Sequence, residues 1–294
     1  MPRKPPSRRP ARPRPGRSSA PAPGKQPSAG RHLPTAILTG LSLGVLAVGL
    51  LWVGAEAFFG FVCVVVLLAQ GEFYRAARGA GYNPAAALGL GAGAVLLIGV
   101  FVTGEEAAPV VLIAALAGSF MWFMVGDRQD GLVTNVGVTM LGLIYIPLLG
   151  VFVGLLASRP AGRLLTVTAI GAAALYDVAA YAGGSKLGRH KLAPSISPNK
   201  SWEGAAVATA ATVGALALAG PALTALNITQ AVMVGVAVSV AAPLGDLFES
   251  LIKRDLGLKD MGTILPGHGG ALDRIDGMLF VVPTVYFLME GFGL

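Results

Sequence analysis

The chain of 294 residues is 54% hydrophobic and only 13% charged, with a mean hydropathy of +0.69, whereas a soluble domain carries about 25% charged residues. With repeated apolar runs of roughly 20 residues, this excludes an ordinary soluble domain and predicts an all-α, polytopic transmembrane helix bundle. A β-barrel is disfavoured, because the apolar runs are continuous and do not alternate between two faces.

The N-terminal segment, residues 1–33, is charged quite differently from the rest of the chain. It holds nine of the 22 Lys and Arg residues and no acidic residue, which leaves 13 basic and 15 acidic residues elsewhere. Its Pro, Arg, Ser and Gly content cannot bury apolar surface, so we expect a disordered cytoplasmic tail. Because an apolar run follows at once, its predicted partner is the anionic surface of the lipid bilayer, not a nucleic acid.

About nine spans are predicted after the tail. They lie at approximately 34–52, 53–71, 84–103, 107–125, 131–157, 164–182, 204–221, 228–249 and 277–294. We divide them into N-terminal transmembrane helices, 34–160, and a C-terminal catalytic region, 161–294. Cys63 lies inside the second span and is interpreted as a packing residue, and Glu56 and Glu72, lone carboxylates at span ends, as solvated boundary residues.

The orientation follows from the excess of Lys and Arg in cytoplasmic connections. With the basic tail inside, nine spans place both long polar connections, 183–203 and 250–276, on the cytoplasmic side. A water-soluble substrate must meet the protein there, so the active site is expected to face the cytoplasm. The Ala, Gly, Arg and Pro bias suggests a bacterium, and the predicted location is its plasma membrane.

The connection 183–203 follows Asp177 and opens the seventh span. The stretch "SPNKSWEG" predicts a turn through Pro198 and Asn199, followed by Ser201 as the N-cap of a helix. Lys200 directly precedes that helix start, where backbone N–H groups favour an anion, and is therefore predicted to bind phosphate.

The connection 250–276 concentrates charge between two spans. An unpaired carboxylate such as Asp246 near a span end costs about 2.5–3.5 kcal/mol, so we expect it to face a cavity and meet a cation. Asp273 and Asp276, three residues apart, share a face if a helix opens here. Carboxylate oxygens suit Mg²⁺, and Asp246 and Asp273 are the predicted metal ligands.

Basic and glycine residues between these carboxylates point to phosphate chemistry. Arg and Lys neutralise phosphate charge, and the backbone of "PGHGG" can approach an anion closely. His268 is open between an acid or base, a phosphate contact and a turn-stabilising role, and Asp276 between a ligand and a residue orienting Arg274. The predicted catalytic residues are Asp246, Asp273, Lys253, Arg254, His268 and Asp276, and the predicted substrate-binding residues are Lys200, Lys259, Arg274, Asp177, Ser250, Gly269 and Gly270.

The run "SLIKRDLGLKDMGTILPGHGGALDRID" resembles the signature of the phosphatidate cytidylyltransferases, or CDP-diacylglycerol synthases. It shows the family's Ser-x-apolar-Lys-Arg, Lys-Asp, His-Gly-Gly and Asp-Arg-x-Asp elements in order, and 183–203 is similar to a second family region. The resemblance implies that CTP and phosphatidate react, with Mg²⁺, to CDP-diacylglycerol and pyrophosphate. It implies that carboxylates matching Asp246 and Asp273 bind the metal, with a monovalent cation such as K⁺ as a candidate second ion.

Two other functions stay open at this point. A CTP-dependent lipid kinase of the polyprenol or phytol type would use similar groups to transfer the γ-phosphate of CTP. A membrane transporter would also carry carboxylates in its spans, although the sequence has no internal repeat and its charges gather on one face. Small residues in the spans leave a homodimer open as well.

Overall fold

The computed structural model describes residues 33–125, 131–262 and 269–294. The helices are α1 (Leu33–Val53), α2 (Ala55–Gly79), α3 (Ala86–Thr103), α4 (Ala107–Val125), α5 (Leu132–Leu143), α6 (Leu149–Ala157), α7 (Gly162–Leu187), α8 (Trp202–Leu223), α9 (Ile228–Asp255) and α10 (Leu272–Phe292). A π-helical turn, Ile144–Leu148, joins α5 to α6, and a hairpin of β1 (Lys191–Ala193) and β2 (Ser197–Ser201) joins α7 to α8. Residues 1–32 of the predicted disordered tail, and His268, lie outside the described residues.

The predicted helix bundle is confirmed. Eight helical segments within the described ranges are long and apolar enough to cross a membrane, the continuous segment Leu132–Ala157 counting as one. α1 occupies the first predicted span, and its apolar stretch Ser42–Val53 is shorter. Large apolar side chains point outward on many helices, as a lipid-facing surface requires, and Leu218 is 85% exposed.

Four helices extend well beyond the predicted spans, and this moves charged residues from loops onto helices. One of them, α7, ends at Leu187 instead of residue 182 and includes Lys186. α2 ends at Gly79 instead of residue 71, α9 ends at Asp255 instead of 249, and α10 begins at Leu272 instead of 277. Hydropathy marks only the apolar part of a helix, whereas its backbone hydrogen bonds continue into the polar region. The predicted cytoplasmic connection 250–276 is therefore partly helical at both ends.

The turn predicted at Pro198 and Asn199 lies elsewhere in the connection 183–203. Pro198 and Asn199 lie in β2, and the turn falls at residues 194–196. A proline is tolerated in such a two-stranded edge, because its missing N–H need not face a neighbour. The predicted N-cap is confirmed, since the Ser201 hydroxyl accepts the Gly204 N–H at 3.2 Å.

Glycines allow the helices that carry the polar residues to approach closely. A Cβ on Gly245 of α9 would come within 3.0 Å of the Gly277 Cα in α10, so the two backbones touch where Asp246 and Asp276 begin their side chains. On the other side of the bundle, Gly154 of α6 receives the ring of Phe59 from α2. Such small-residue contacts are typical of membrane helix packing.

The buried core does not divide into two parts at the predicted boundary near residue 160. One cluster of buried residues joins α2, α3, α5 and α6 with the first turns of α10, and a second joins α7, α8, α9 and the remainder of α10. α10 thus belongs to both clusters. The division into parts at 34–160 and 161–294 stays a prediction.

Candidate active site

Lys253, near the end of α9, joins two carboxylates. Its Nζ lies 2.6 Å from the Glu249 Oε2 one turn earlier and 2.8 Å from the Asp273 Oδ1 at the start of α10. All three side chains are largely buried, with Glu249 fully so. Because both anions would otherwise be uncompensated, this lysine holds the ends of α9 and α10 together electrostatically.

Asp273 also organises the loop that precedes α10. Its second oxygen, Oδ2, accepts the backbone N–H of Gly270 at 2.8 Å and of Met261 at 3.0 Å. Gly269 has a φ of +79°, a left-handed conformation that favours glycine. The predicted ligand Asp273 is thus hydrogen-bonded through both oxygens, and Gly270 contacts it directly.

Asp246 lies one turn before Glu249 on α9 and contacts the hairpin. Its Oδ2 is 2.5 Å from the Nζ of Lys200 in β2, and its Oδ1 accepts the Ser250 hydroxyl at 3.4 Å. The structure therefore brings Lys200 of the hairpin to Asp246 and Ser250, which lie together on α9. The expected cation partner of Asp246 is a lysine 46 positions earlier in the chain.

Two further carboxylates complete the cluster. Asp276 accepts the N–H of Gly277 at 2.8 Å, and its carboxyl neighbours that of Glu249, whose Oε1 is buried without a hydrogen-bond partner among the described residues. Asp177 on α7 lies within electrostatic range of Asp246, Asp276 and Lys200. Five carboxylates thus gather at one end of α7, α9 and α10.

Tyr145 is a buried aromatic residue next to this cluster of carboxylates. Its ring is 2% exposed and packs edge-on against Phe248 of α9 at 4.8 Å between centroids. Its buried hydroxyl has no hydrogen-bond partner in the part of the chain described, and four of the five carboxylates lie within electrostatic range. The π-helical turn that presents it contains Pro147, whose missing N–H interrupts the regular helix pattern; such turns occur frequently at functional sites.

The remaining predicted residues lie at the rim. Arg254 donates through Nε to the Ile196 carbonyl at 3.3 Å, which ties the hairpin turn to α9. Lys259 and Arg274 are exposed. His190 contacts the Glu203 carboxylate at 2.6 Å, and this pair fastens the hairpin to the first turn of α8.

Glu72 was wrongly predicted as a solvated boundary residue. It is 1% exposed, and its Oε2 accepts the Leu272 N–H at 3.1 Å across 200 residues of sequence. No local pattern distinguishes it from Glu56, which is exposed as predicted. Only the packing of α2 against α10 decides the difference.

The donor set fits a divalent cation in its chemistry. The groups are hard oxygen donors, and the ion pairs of the described residues that involve them supply only Lys200 and Lys253 as cations. Those lysines lie against the two predicted ligands, and no group of three or more His, Cys, Asp or Glu in the described ranges has metal-holding geometry. The surplus of carboxylates over these lysines is what a bound cation would offset.

Comparison with known proteins places this site in context. A sequence model of the cytidylyltransferase family matches residues 34–292. The phosphatidate cytidylyltransferase of Mycobacterium bovis is 32% identical over 276 residues, which cover 85% of this chain and 86% of the relative. That of Mycobacterium leprae is 33% identical over 86% of each chain, and that of Brucella suis 31% identical over 87% of this chain and 92% of its own. The similarity includes the N-terminal spans as well as the C-terminal signature.

Proposed function

The chain belongs to the cytidylyltransferase family, and from this we propose that it is a phosphatidate cytidylyltransferase of a bacterial membrane. It transfers the cytidylyl group of CTP to phosphatidate and releases pyrophosphate, giving CDP-diacylglycerol. The observation that carries the proposal is the cluster of five carboxylates with Lys200 and Lys253 at one end of the bundle. Relatives named for this activity match most of the chain.

The reaction asks for charge stabilisation more than for a base. An oxygen of the phosphatidate phosphate attacks the α-phosphorus of CTP, and the bond to the β-phosphate oxygen breaks as pyrophosphate leaves. The attacking phosphate is already anionic, so no proton has to be removed from it. The barrier lies in bringing two polyanions together, which positioned cations and backbone N–H groups lower.

Each residue of the site has its own proposed role in this reaction. Lys200 and Lys253 can exchange their carboxylate partners for phosphate oxygens, and Lys259, Arg254 and Arg274 supply positive charge at the rim. Gly269 and Gly270 let the backbone approach the phosphates. Ser250 donates its hydroxyl to Asp246, and Asp177 lies within electrostatic range of it, so both can contact a substrate bound there. His268 is the remaining candidate for contacting the leaving group.

Cytidylyltransferases of this family generally use a divalent metal ion. We assign Mg²⁺ to Asp246 and Asp273, and because this ion usually keeps several waters, phosphate oxygens and water would complete its ligands. When bound, the ion would neutralise charge on the phosphates and on departing pyrophosphate. We keep K⁺ as the proposed second, monovalent ion, as the family resemblance implies.

The location follows from helices and charge together. The chain is a multi-pass membrane protein by its eight long apolar helices in the described ranges. Lys186, Arg189 and Lys191 lie at the end of α7 and in the connection that carries Lys200, and such basic residues favour the cytoplasmic side of the plasma membrane. A homodimer is a further expectation, which light scattering of the detergent-solubilised protein would test.

The decisive assay supplies CTP radiolabelled at the α-phosphate, with phosphatidate and Mg²⁺, to the purified protein in detergent. We expect label in the lipid fraction and pyrophosphate as the second product. Lipid labelled only from the γ-phosphate would identify a lipid kinase, and no lipid label from either position would favour a transporter. The control is the variant Glu56→Gln, because Glu56 is exposed in the first turn of α2, away from the site. This variant should form labelled lipid at the rate of the unaltered protein.

A further inference from the structure

Glu72 is a buried carboxylate that the proposed chemistry leaves without a role. It sits near the end of α2, a helix that contributes none of the carboxylates of the site, yet its Oε2 accepts the Leu272 N–H at 3.1 Å. Its side chain is 1% exposed. An acidic group this far from solvent is costly unless it is hydrogen-bonded, so its position calls for a reason.

The start of α10 supplies that reason. The residue before α10 is Ala271, which has no side-chain group to cap the free N–H groups of the first turn. Glu72 supplies the missing acceptor from another helix, and its negative charge suits the positive end of the α10 dipole. The first turn of α10 carries Asp273 and, one turn on, Asp276.

The loop before α10 is shaped around the same carboxylate. A Cβ on Gly262 would collide with Glu72 Oε1, and a Cβ on Gly270 would come 2.5 Å from Glu72 Oε2. Met261 and Gly270 donate their N–H groups to Asp273. Glu72 on α2 and Asp273 on α10 therefore contact the same two parts of the loop, residues 261–262 and Gly270.

We infer that Glu72 is a positioning residue: it caps α10 from α2 and thereby fixes Asp273 and Asp276 toward Lys253 and Asp246. This inference rests on the proposed function for its consequence in catalysis, but its geometric part does not. Glu72 acts through α10 and its preceding loop. A shift of about 1 Å in the first turn of α10 would cost turnover by roughly a hundredfold.

The test compares three variants with a matched control. Glu72→Leu removes the acceptor at similar volume, Glu72→Gln keeps a neutral acceptor, and Gly262→Ala presses on the carboxylate from the loop. The control is Gln70→Leu, because Gln70 is equally buried on α2 but donates to Gly89 of α3 at 2.9 Å. Amide hydrogen exchange of the peptide covering 269–275 is measured by mass spectrometry on the full chain in detergent, alongside kcat and KM for CTP.

We expect exchange at the start of α10 to rise about tenfold or more in Glu72→Leu and Gly262→Ala, and less in Glu72→Gln. We expect kcat to fall in the same order, by about 10- to 100-fold at most, with KM for CTP changing less than about threefold. Gln70→Leu should leave both the exchange of 269–275 and kcat unchanged.

Opposite results overturn the inference. Exchange of 269–275 and kcat that match the unaltered protein in folded Glu72→Gln and Gly262→Ala would remove Glu72 from this role, whether or not Glu72→Leu folds. If Gln70→Leu changes the exchange of 269–275 and kcat as much as the Glu72 variants do, the effect belongs to any disturbance of α2 and not to Glu72. If the unaltered protein forms no labelled lipid, the proposed function fails by itself, and the exchange comparison alone decides whether Glu72 anchors α10.

Discussion

The contacts of Lys253 explain how so many acidic side chains can lie together at a membrane helix end. Its ammonium group touches Glu249 and Asp273 at once, at 2.6 and 2.8 Å. Removing one member of a buried ion pair leaves the other charge without compensation, and such losses typically cost about 3–5 kcal/mol. The lysine therefore ties α9 to α10, and in the proposed function it is also a cation that contacts phosphate.

Lys253→Met is expected to lower the stability of the solubilised protein by about 3 kcal/mol, because Glu249 is left buried and unpaired. The variant Lys253→Met with Glu249→Gln should regain most of that stability while staying inactive, since the phosphate-binding cation is still missing. Unfolding in detergent and lipid labelling measure the two effects. A single variant as stable as the unaltered protein would contradict the pairing.

Asp273→Asn is expected to lower turnover by roughly 10²- to 10³-fold at ordinary Mg²⁺ with normal expression. An amide offers one acceptor oxygen where Asp273 uses two, one toward Lys253 and one toward the loop amides. Turnover measured against Mg²⁺ concentration should shift to higher concentrations. Asp255→Asn, an exposed change on the same helix end as Lys253, should behave like the unaltered protein, and full activity of Asp273→Asn would exclude Asp273 as a ligand.

Among the elements, the contact between α9 and α10 sets the geometry of the site. The two helices meet backbone to backbone at Gly245 and Gly277, and Asp246 and Asp276 follow or precede this contact by one residue. Close approach of this kind needs residues without side chains. The hairpin then delivers Lys200 onto Asp246 from a third direction.

Gly245→Ala is expected to abolish most turnover and to lower the melting temperature. The new Cβ would lie 2.5 Å from the Asp276 carbonyl oxygen and 3.0 Å from Gly277 Cα, and backbone cannot move aside as a flexible side chain can. Lipid labelling and thermal unfolding in detergent measure the effect.

Gly214→Ala on α8 is the matched control, because nothing lies within 4 Å of a Cβ there. It should leave turnover unchanged and stabilise the helix slightly, since alanine favours helix over glycine by up to about 1 kcal/mol. Unimpaired turnover in Gly245→Ala would show that the two helices are not held by this contact.

In the whole molecule, the charged residues of the candidate site lie on one side of the membrane. Glu249, Lys253, Asp273 and Lys200 all lie near span ends on one side, where α2 and α9 end and α8 and α10 begin. Glu105 and Glu106, between α3 and α4, belong to the opposite side by the order of the spans. A soluble nucleotide and a lipid headgroup can meet only at such a membrane face.

The orientation is testable with single cysteines in a Cys63→Ala background, since Cys63 is the only cysteine of the chain. We expect Arg189→Cys to react with a membrane-impermeant maleimide only in inverted vesicles, and Glu106→Cys only in intact cells with a permeabilised outer layer. Both positions are exposed. The reverse labelling pattern would place the active site outside the cytoplasm.

The sequence by itself determined the features that depend on neighbours along the chain. Hydropathy located the spans, because the cost of exposing backbone and polar groups to hydrocarbon acts on each segment separately. The Ser201 cap was readable for the same reason, as it joins residues three apart. Spacing also predicted that Asp273 and Asp276 would lie near one helix start.

The tertiary structure decided which charges meet. Nothing near Lys200 indicates Asp246, and nothing near Glu72 indicates Leu272, since these contacts cross 46 and 200 residues and exist only after the helices pack. The same packing buries Glu72 while Glu56, on the same helix, stays exposed. Composition and spacing show that a charged residue in a membrane span is costly, but they do not identify its partner. The partner depends on which distant backbones come close together when the helices pack. Glycines at the contact between α9 and α10 permit such an approach.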